Sequence, residues 1–258
     1  MKFEILVDSR PSEIVIALLK DKQLTELHKE PLENKFSVGD IYLGTVKKIV
    51  PGLNAAFVDV GFEKDGFLHF LDLGPKYKTF NHFLQKNLAK KLNTASLKNF
   101  KLQEELEKDG KINEALQSGN RILVQVAKEP ISTKGPRLTT ELTIAGRYMV
   151  LVPFSDKVSV SQKIQSNEEK KRLKRLVLSI KPPGFGVIIR TVADGKMVAE
   201  LDADLKFLYK KWQLLYKQIK VANSPSKVHG ELSRSTSLLR DLLNDDFVNI
   251  LVNNNKLH

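Results

Sequence analysis

The sequence predicts an α+β protein built of several subdomains. Three observations lead there. The N-terminal segment reads as short apolar strands. The stretch from Val38 to Leu73 is strand after strand, broken by Gly, Pro, Asn and Asp. The later part of the chain carries amphipathic helices. With 258 residues, 41% of them hydrophobic, there is apolar material for a real core.

The elements follow in order. EILVD, EIVIALLKD and QLTELHKE form a β-meander, with Asp21-Lys22 suited to a tight turn between the last two. From Val38, VGDIYLGTVKKIVPGLNAAFVDVGFEKDGFLHFLDL has the close turn punctuation of a small barrel, and strands resume at NRILVQVAKEP. Gly44, Gly61 and Gly66 mark its turns, bulges or corners. Residues 74–118 interrupt the barrel as an insertion, rich in lysine and free of acids over its first part. Phe80, Leu84, Leu88 and Leu92 recur there at helical i, i+4 spacing, with Phe83 beside them. The pattern fits best a packed helix with a solvated basic face; the alternative is an additional RNA-contact arm or an oligomer contact. From Leu138, LTTELTIAGRYMVLVPF is strand-like, and NEEKKRLKRLVLSI is a helix with Asn167 as its N-cap. Pro182-Pro183-Gly184 ends that helix. FGVIIRT is a buried strand, and Asp202 to Lys220 a long amphipathic helix. Asn223–Ser226 reads as a boundary, SLLRDLLNDDF as a helix and VNILVNN as a closing strand.

Charge narrows the partner. Lys and Arg exceed Asp and Glu by 12, which favours a polyanion through phosphate neutralisation. A merely soluble basic protein is the competing reading. The absence of cysteine excludes disulfides and thiolate metal sites within the chain. Asp8, Arg10 and Glu13 interrupt the N-terminal apolar residues, so no signal peptide is read there. No apolar run nears the roughly 20 residues of a membrane-spanning helix. The expectation is a soluble, cytoplasmic protein.

Phe57 and Phe67 stand out within the barrel. A barrel that binds single-stranded nucleic acid presents aromatics on which bases stack, with cations along the backbone path. Lys47, Lys48, Lys64, Lys128 and Lys134 are candidates for that path. A Phe in a strand is also ordinary core, and His69 is either a further stacking ring or a polar surface residue. Arg190, at the end of an apolar strand, reads from pattern alone as a surface residue.

GDIYLGTVKKIVPGLNAAFVDVGFEKDGFLHF resembles the S-one type RNA-binding barrel, an OB-fold, as found in RNase E/G ribonucleases. The resemblance continues in order through KGPRLTTELTIAGRYMVLVP, GFGVIIRT and LLRDLLNDDFVNILVNN, and omits only the insertion. It implies a split RNase H-like subdomain from residues 1–36 and 221–258. Between them would lie the barrel, 37–137, and a 5′-sensor subdomain, 138–220. It implies single-stranded RNA held at Phe57, Phe67, Lys128 and Lys134. It also implies a 5′-monophosphate bound by Arg190 and Thr191, with Gly146 and Val150 cradling the terminal nucleotide. Gly146 would let a base or sugar approach closely. The family often has an Arg pair where this chain has Gln162-Lys163, so Lys163 supplies charge without the bidentate fork.

The family cuts RNA with Mg²⁺ held by two Asp residues of a downstream DNase I-like subdomain, and a zinc link often joins its protomers into a homo-oligomer. This chain is expected to carry neither, to need no cofactor itself, and to be inactive alone. Asp241, Asp245 and Asp246 match no catalytic position, and Asp8 and Glu13 form no evident metal cluster. The expected function is the RNA-binding and 5′-monophosphate-sensing portion of an endoribonuclease of RNA processing and decay. The alternatives are a stand-alone, non-catalytic RNA-binding protein, or a scaffold led by the insertion.

Overall fold

The computed structural model describes residues 2–31, 36–132, 134–231, 236, 239–240 and 247–254. The expected helix SLLRDLLNDDF lies mostly outside them, as do Asp241, Asp245 and Asp246. The chain divides into two compact units, residues 1–37 with 232–258, and residues 38–231.

In the first unit the meander forms as expected: β1 (Phe3–Ser9), β2 (Glu13–Lys20) and β3 (Gln23–Pro31) pair antiparallel. Asp21 and Lys22 both take positive φ, 48° and 67°, the geometry of a two-residue hairpin turn whose twist matches its strands. The strand Phe247–Val252 adds alongside β1 in parallel. Ile5, Val7, Ile16 and Leu18 are buried on one face, with Leu239 against them.

The second unit opens with β4 (Ile41–Val50), β5 (Ala55–Asp59) and β6 (Gly66–His69). After the insertion come β7 (Arg121–Lys128) and β8 (Arg137–Thr139). The order β4-β5-β6-β8-β7 closes because β7 also pairs with β4, making a five-stranded barrel of OB type. Only β6 and β8 run parallel within it. Gly66 is required at the closure: a Cβ there would lie 2.4 Å from a Leu138 methyl.

The insertion is built into the core. Helix α1 (Tyr77–Leu88) buries Tyr77, Phe80, Phe83 and Leu84. It ends at Leu88, short of Leu92, and Lys90 just beyond takes a positive φ of 56°, yet Leu88 and Leu92 still pack on the core. A short helix, α2 (Ile112–Ala115), precedes the return to the barrel. Phe83 lies 5.2 Å from Trp212 and 5.5 Å from Phe154, ring centre to ring centre, and Phe80 lies 4.8 Å from Phe154. This is the packed-helix reading of the stripe, with lysines on the outer face.

The rest of the unit is a four-stranded sheet and two helices. In chain order they are β9 (Ile144–Ala145), β10 (Met149–Pro153), β11 (Val158–Val160), α3 (Asn167–Ile180), β12 (Phe185–Ile189) and α4 (Val198–Val221). The sheet order is β11-β12-β10-β9, and α3 and α4 pack on it. Two expectations are corrected here. The N-cap of α3 is Ser166, whose Oγ accepts from the Glu169 amide at 3.2 Å, because Asn167 already lies within the helix. Helix α4 starts ahead of Asp202, its first turn secured by Glu200 accepting from the Met197 amide at 3.0 Å. The turn at Asn223–Ser226 leads into β13 (Ser226–His229), which pairs with β4, and the unit runs on to Glu231.

His229 on β13 carries a pH consequence. Its Nε2 is buried without a hydrogen-bond partner among the described residues. Burial pushes the imidazole below its usual 6.5 and Lys211 lowers it further, against the opposing carboxylates of Glu231 and Asp40. The folded ring is therefore neutral where the unfolded one takes a proton. Its contribution to stability is full above 6.5 and is lost progressively as pH falls from there through the lower value of the folded ring. Urea unfolding midpoints should drop between pH 7.5 and 5.5, and drop less in His229→Gln. Equal pH dependence in both proteins would refute the assignment.

Candidate nucleic-acid interface

Strand pairing lines up one residue from each barrel strand. Lys48 pairs with Phe57, Phe57 with Phe67, Phe67 with Arg137, and Arg137 with Lys128. The chain neighbours of Phe57, Phe67 and Arg137, namely Ala56, Val58, Gly66, Leu68, Pro136 and Leu138, are buried, so the pleat turns these three side chains outward. The two phenyl rings meet edge to face at 5.9 Å and are half-buried, with Lys48 and Lys128 exposed at the ends. A cavity of about 730 Å³ is lined by Phe57, Phe67, Gly135, the cations Lys64, Lys134 and Arg137, and the acids Glu63 and Asp65. The predicted Phe57, Phe67, Lys128 and Lys134 thus share one face.

Two other candidates are committed elsewhere. Lys47, at a bulge, binds Asp59 at 3.2 Å and Asp65 at 3.1 Å; hydrogen bonds to Asp65 and Asp59 raise its pKa. His69 caps the turn Phe70–Leu73, its Nδ1 accepting from the Leu71 amide at 3.1 Å. Arg137 was missed. It sits in a three-residue strand whose parallel partner β6 is far away in sequence, so local pattern gives no sign of the row.

The second set of predicted residues gathers at one edge of the other sheet. β11 and β12 run parallel, so Ser161–Lys163 and Arg190-Thr191 leave at the same end. β10 is antiparallel to β12 and begins there, at the turn after β9. Arg190 Nη1 donates to the carbonyls of Gly146 at 2.8 Å and Arg147 at 3.2 Å. The hydroxyls of Thr191 and Ser161 lie 2.9 Å apart. Lys163 is exposed, and its amide donates to Ser161 Oγ at 3.3 Å. Val150 pairs with the exposed Ile188 on the sheet face opposite the buried Leu151 and Val187. Tyr148 adds a ring with the Arg147 guanidinium 5.4 Å and the Lys196 ammonium 5.6 Å from its centre. The edge presents an arginine fork, hydroxyls, an aromatic ring and further cations, a set suited to a phosphate.

Gly146 is buried, and a Cβ there would lie 2.7 Å from both carboxylate oxygens of Asp204. Asp204, on α4, accepts from the amides of Arg147 at 3.1 Å, Tyr148 at 2.9 Å and Met149 at 3.0 Å. The space that a side chain at Gly146 would take is filled by this carboxylate. Asp204 pins the turn whose carbonyls hold Arg190, a role invisible before α4 is packed on the sheet.

Among the described residues no group of three or more His, Asp or Glu is placed to hold a metal ion. Asp8 and Glu13 are engaged by Arg10, at 2.8 and 3.2 Å. No helix among the described residues is long and apolar enough to cross a membrane.

Comparison with known proteins agrees on one family. Residues 143–258 match the Ribonuclease E/G family. The chain is 34% identical over 252 residues to ribonuclease G of Escherichia coli K12, covering 98% of this chain and 48% of that protein. It is 35% identical over 249 residues to ribonuclease G of Haemophilus influenzae, covering 96% and 47%. With ribonuclease E of Nostoc it shares 35% over 239 residues, covering 92% and 31%. The chain therefore spans about half the length, or less, of these curated relatives. On the ordered motifs, the closed barrel and these matches, the chain belongs to the Ribonuclease E/G family.

Proposed function

We propose that this chain holds single-stranded RNA on the outward row of its barrel and grips a 5′-monophosphate at Arg190 and Thr191. It would serve as the binding portion of an endoribonuclease of RNA processing and decay in the cytoplasm. The observation that carries the reading is the row itself. Two contiguous phenyl rings, with Lys48 beyond one and Arg137 then Lys128 beyond the other, suit one strand whose bases stack and whose phosphates meet cations. The surplus of 12 positive charges adds long-range attraction, which salt will weaken.

At the second edge, Gly146 and Arg147 carbonyls orient the guanidinium, and Thr191 brings a hydroxyl alongside. Lys163 adds charge, while Val150 lies on the adjoining sheet face. We assign residues 138–220 to this sensor function, and the first unit to a split RNase H-like scaffold. In the whole protein Mg²⁺ would activate water for phosphodiester hydrolysis. The described residues do not fit such a site, because the acids Asp8 and Glu13 are tied to Arg10 and no others converge. No hydrolytic step is assigned to them.

The test is a pair of oligoribonucleotides that differ only in a 5′-monophosphate or 5′-hydroxyl. The chain should prefer the phosphorylated one by about 1.5–3 kcal/mol, the range of hydrogen bonds to charged groups. Arg190→Ala should bind both alike. An undiminished preference in Arg190→Ala would remove the sensor assignment.

A further inference from the structure

We infer that Arg137 is a third stacking surface for RNA, a flat cation held in plane by Asp72 and continuing the platform of Phe57 and Phe67. The inference rests on the barrel row being the RNA-facing side. Arg137 pairs with Phe67 on one flank and Lys128 on the other, so the next base along the row meets its side chain. It also lines the same cavity as both rings.

The guanidinium is oriented by a two-point contact. Nε donates to one carboxylate oxygen of Asp72 at 3.0 Å and Nη2 to the other at 3.1 Å. Such a fork holds the plane as well as the charge. Asp72 is itself fixed. Its carbonyl accepts from the Thr139 hydroxyl at 2.8 Å and the Thr140 amide at 2.9 Å, and the Thr140 hydroxyl donates to the carbonyl of Leu73. The turn carrying the carboxylate is thus stapled to the end of β8, the strand that carries Arg137.

Two chemical consequences follow. Guanidinium planes stack on bases as aromatic rings do, whereas an ammonium offers no plane. The carboxylate also neutralises the arginine, so Arg137 should release few counterions when RNA binds. That separates it from Lys128, whose charge tracks the phosphates.

The experiment measures binding of a 5′-hydroxyl oligoribonucleotide across a salt series, which keeps the 5′-phosphate site out of the readout. Arg137→Ala and Arg137→Lys should both weaken binding about tenfold, within the range for one stacked base. The slope of log K against log salt should stay as in the unsubstituted chain. Wild-type affinity in Arg137→Lys would overturn the stacking role. So would a slope shallower by about 0.7 in Arg137→Ala, the mark of one lost phosphate contact. Phe57→Ala serves in parallel. If it weakens binding and Arg137→Ala does not, only this inference falls. If both bind as the unsubstituted chain does, RNA does not use this face and the wider reading fails. Thermal midpoints of the Arg137 variants should match the parent, since an exposed ion pair contributes little to stability.

Discussion

Trp212→Ala will destabilise the unit of residues 38–231 by about 3–5 kcal/mol, the usual cost of deleting a large buried aromatic. Trp212 is 1% exposed. Its ring lies between three parts of the chain: Phe83 of the insertion at 5.2 Å, Phe185 of β12 at 5.5 Å and Phe154 after β10 at 6.2 Å. Its indole N–H donates to the Ala95 carbonyl at 2.8 Å. Alanine removes the packing and leaves that carbonyl unpaired. Trp212→Phe restores most of the area and should cost less, about 1–3 kcal/mol for the unpaired group and the lost volume. Phe207→Ala, on the same helix but 54% exposed, should change stability by no more than about 0.5 kcal/mol. Urea denaturation measures all three. A loss under about 1 kcal/mol in Trp212→Ala would mean that the insertion is not anchored on α4 as described.

The double variant Phe57→Ala/Phe67→Ala should bind single-stranded RNA about 2–4 kcal/mol more weakly than the parent, with each single variant losing about 1–3 kcal/mol. The rings touch at 5.9 Å, so their effects are coupled and the double loss need not equal the sum of the singles. Both are half-buried rather than core, and β5 and β6 keep Ala56, Val58 and Leu68 inside. The variants should therefore fold, and circular dichroism alongside fluorescence anisotropy would confirm that the loss is one of binding. Retained affinity in the double variant would remove the barrel face from the RNA path.

Much of this molecule was legible in local pattern. Short apolar runs placed β1 and β2, alternation placed β3, and Asp21-Lys22 marked the turn between the last two. Glycine punctuation marked the barrel, and the spacing of Phe80 and Leu84 marked α1. The Phe57 and Phe67 pair was visible because a hairpin aligns residues close in sequence. Chain-local signals erred at element ends, as when Ser166 rather than Asn167 capped α3, α4 began ahead of Asp202 and α1 stopped short of Leu92.

The rest depends on pairings between distant segments. Arg137 enters the row only because β8 lies parallel to β6, and its partner Asp72 is 65 residues away. The need for glycine at position 146 shows only once α4 brings Asp204, 58 positions along, against it. The basic insertion left an arm open as the alternative to a packed helix until Phe83 met Trp212. By itself the sequence determined which segments form strands and helices, the order of the family motifs and the chemistry of the candidate groups, since each follows from residues a few positions apart. Only the tertiary structure decided which groups face a ligand and which are already bound, because burial and hydrogen-bond partners are set by the segment that packs across from them.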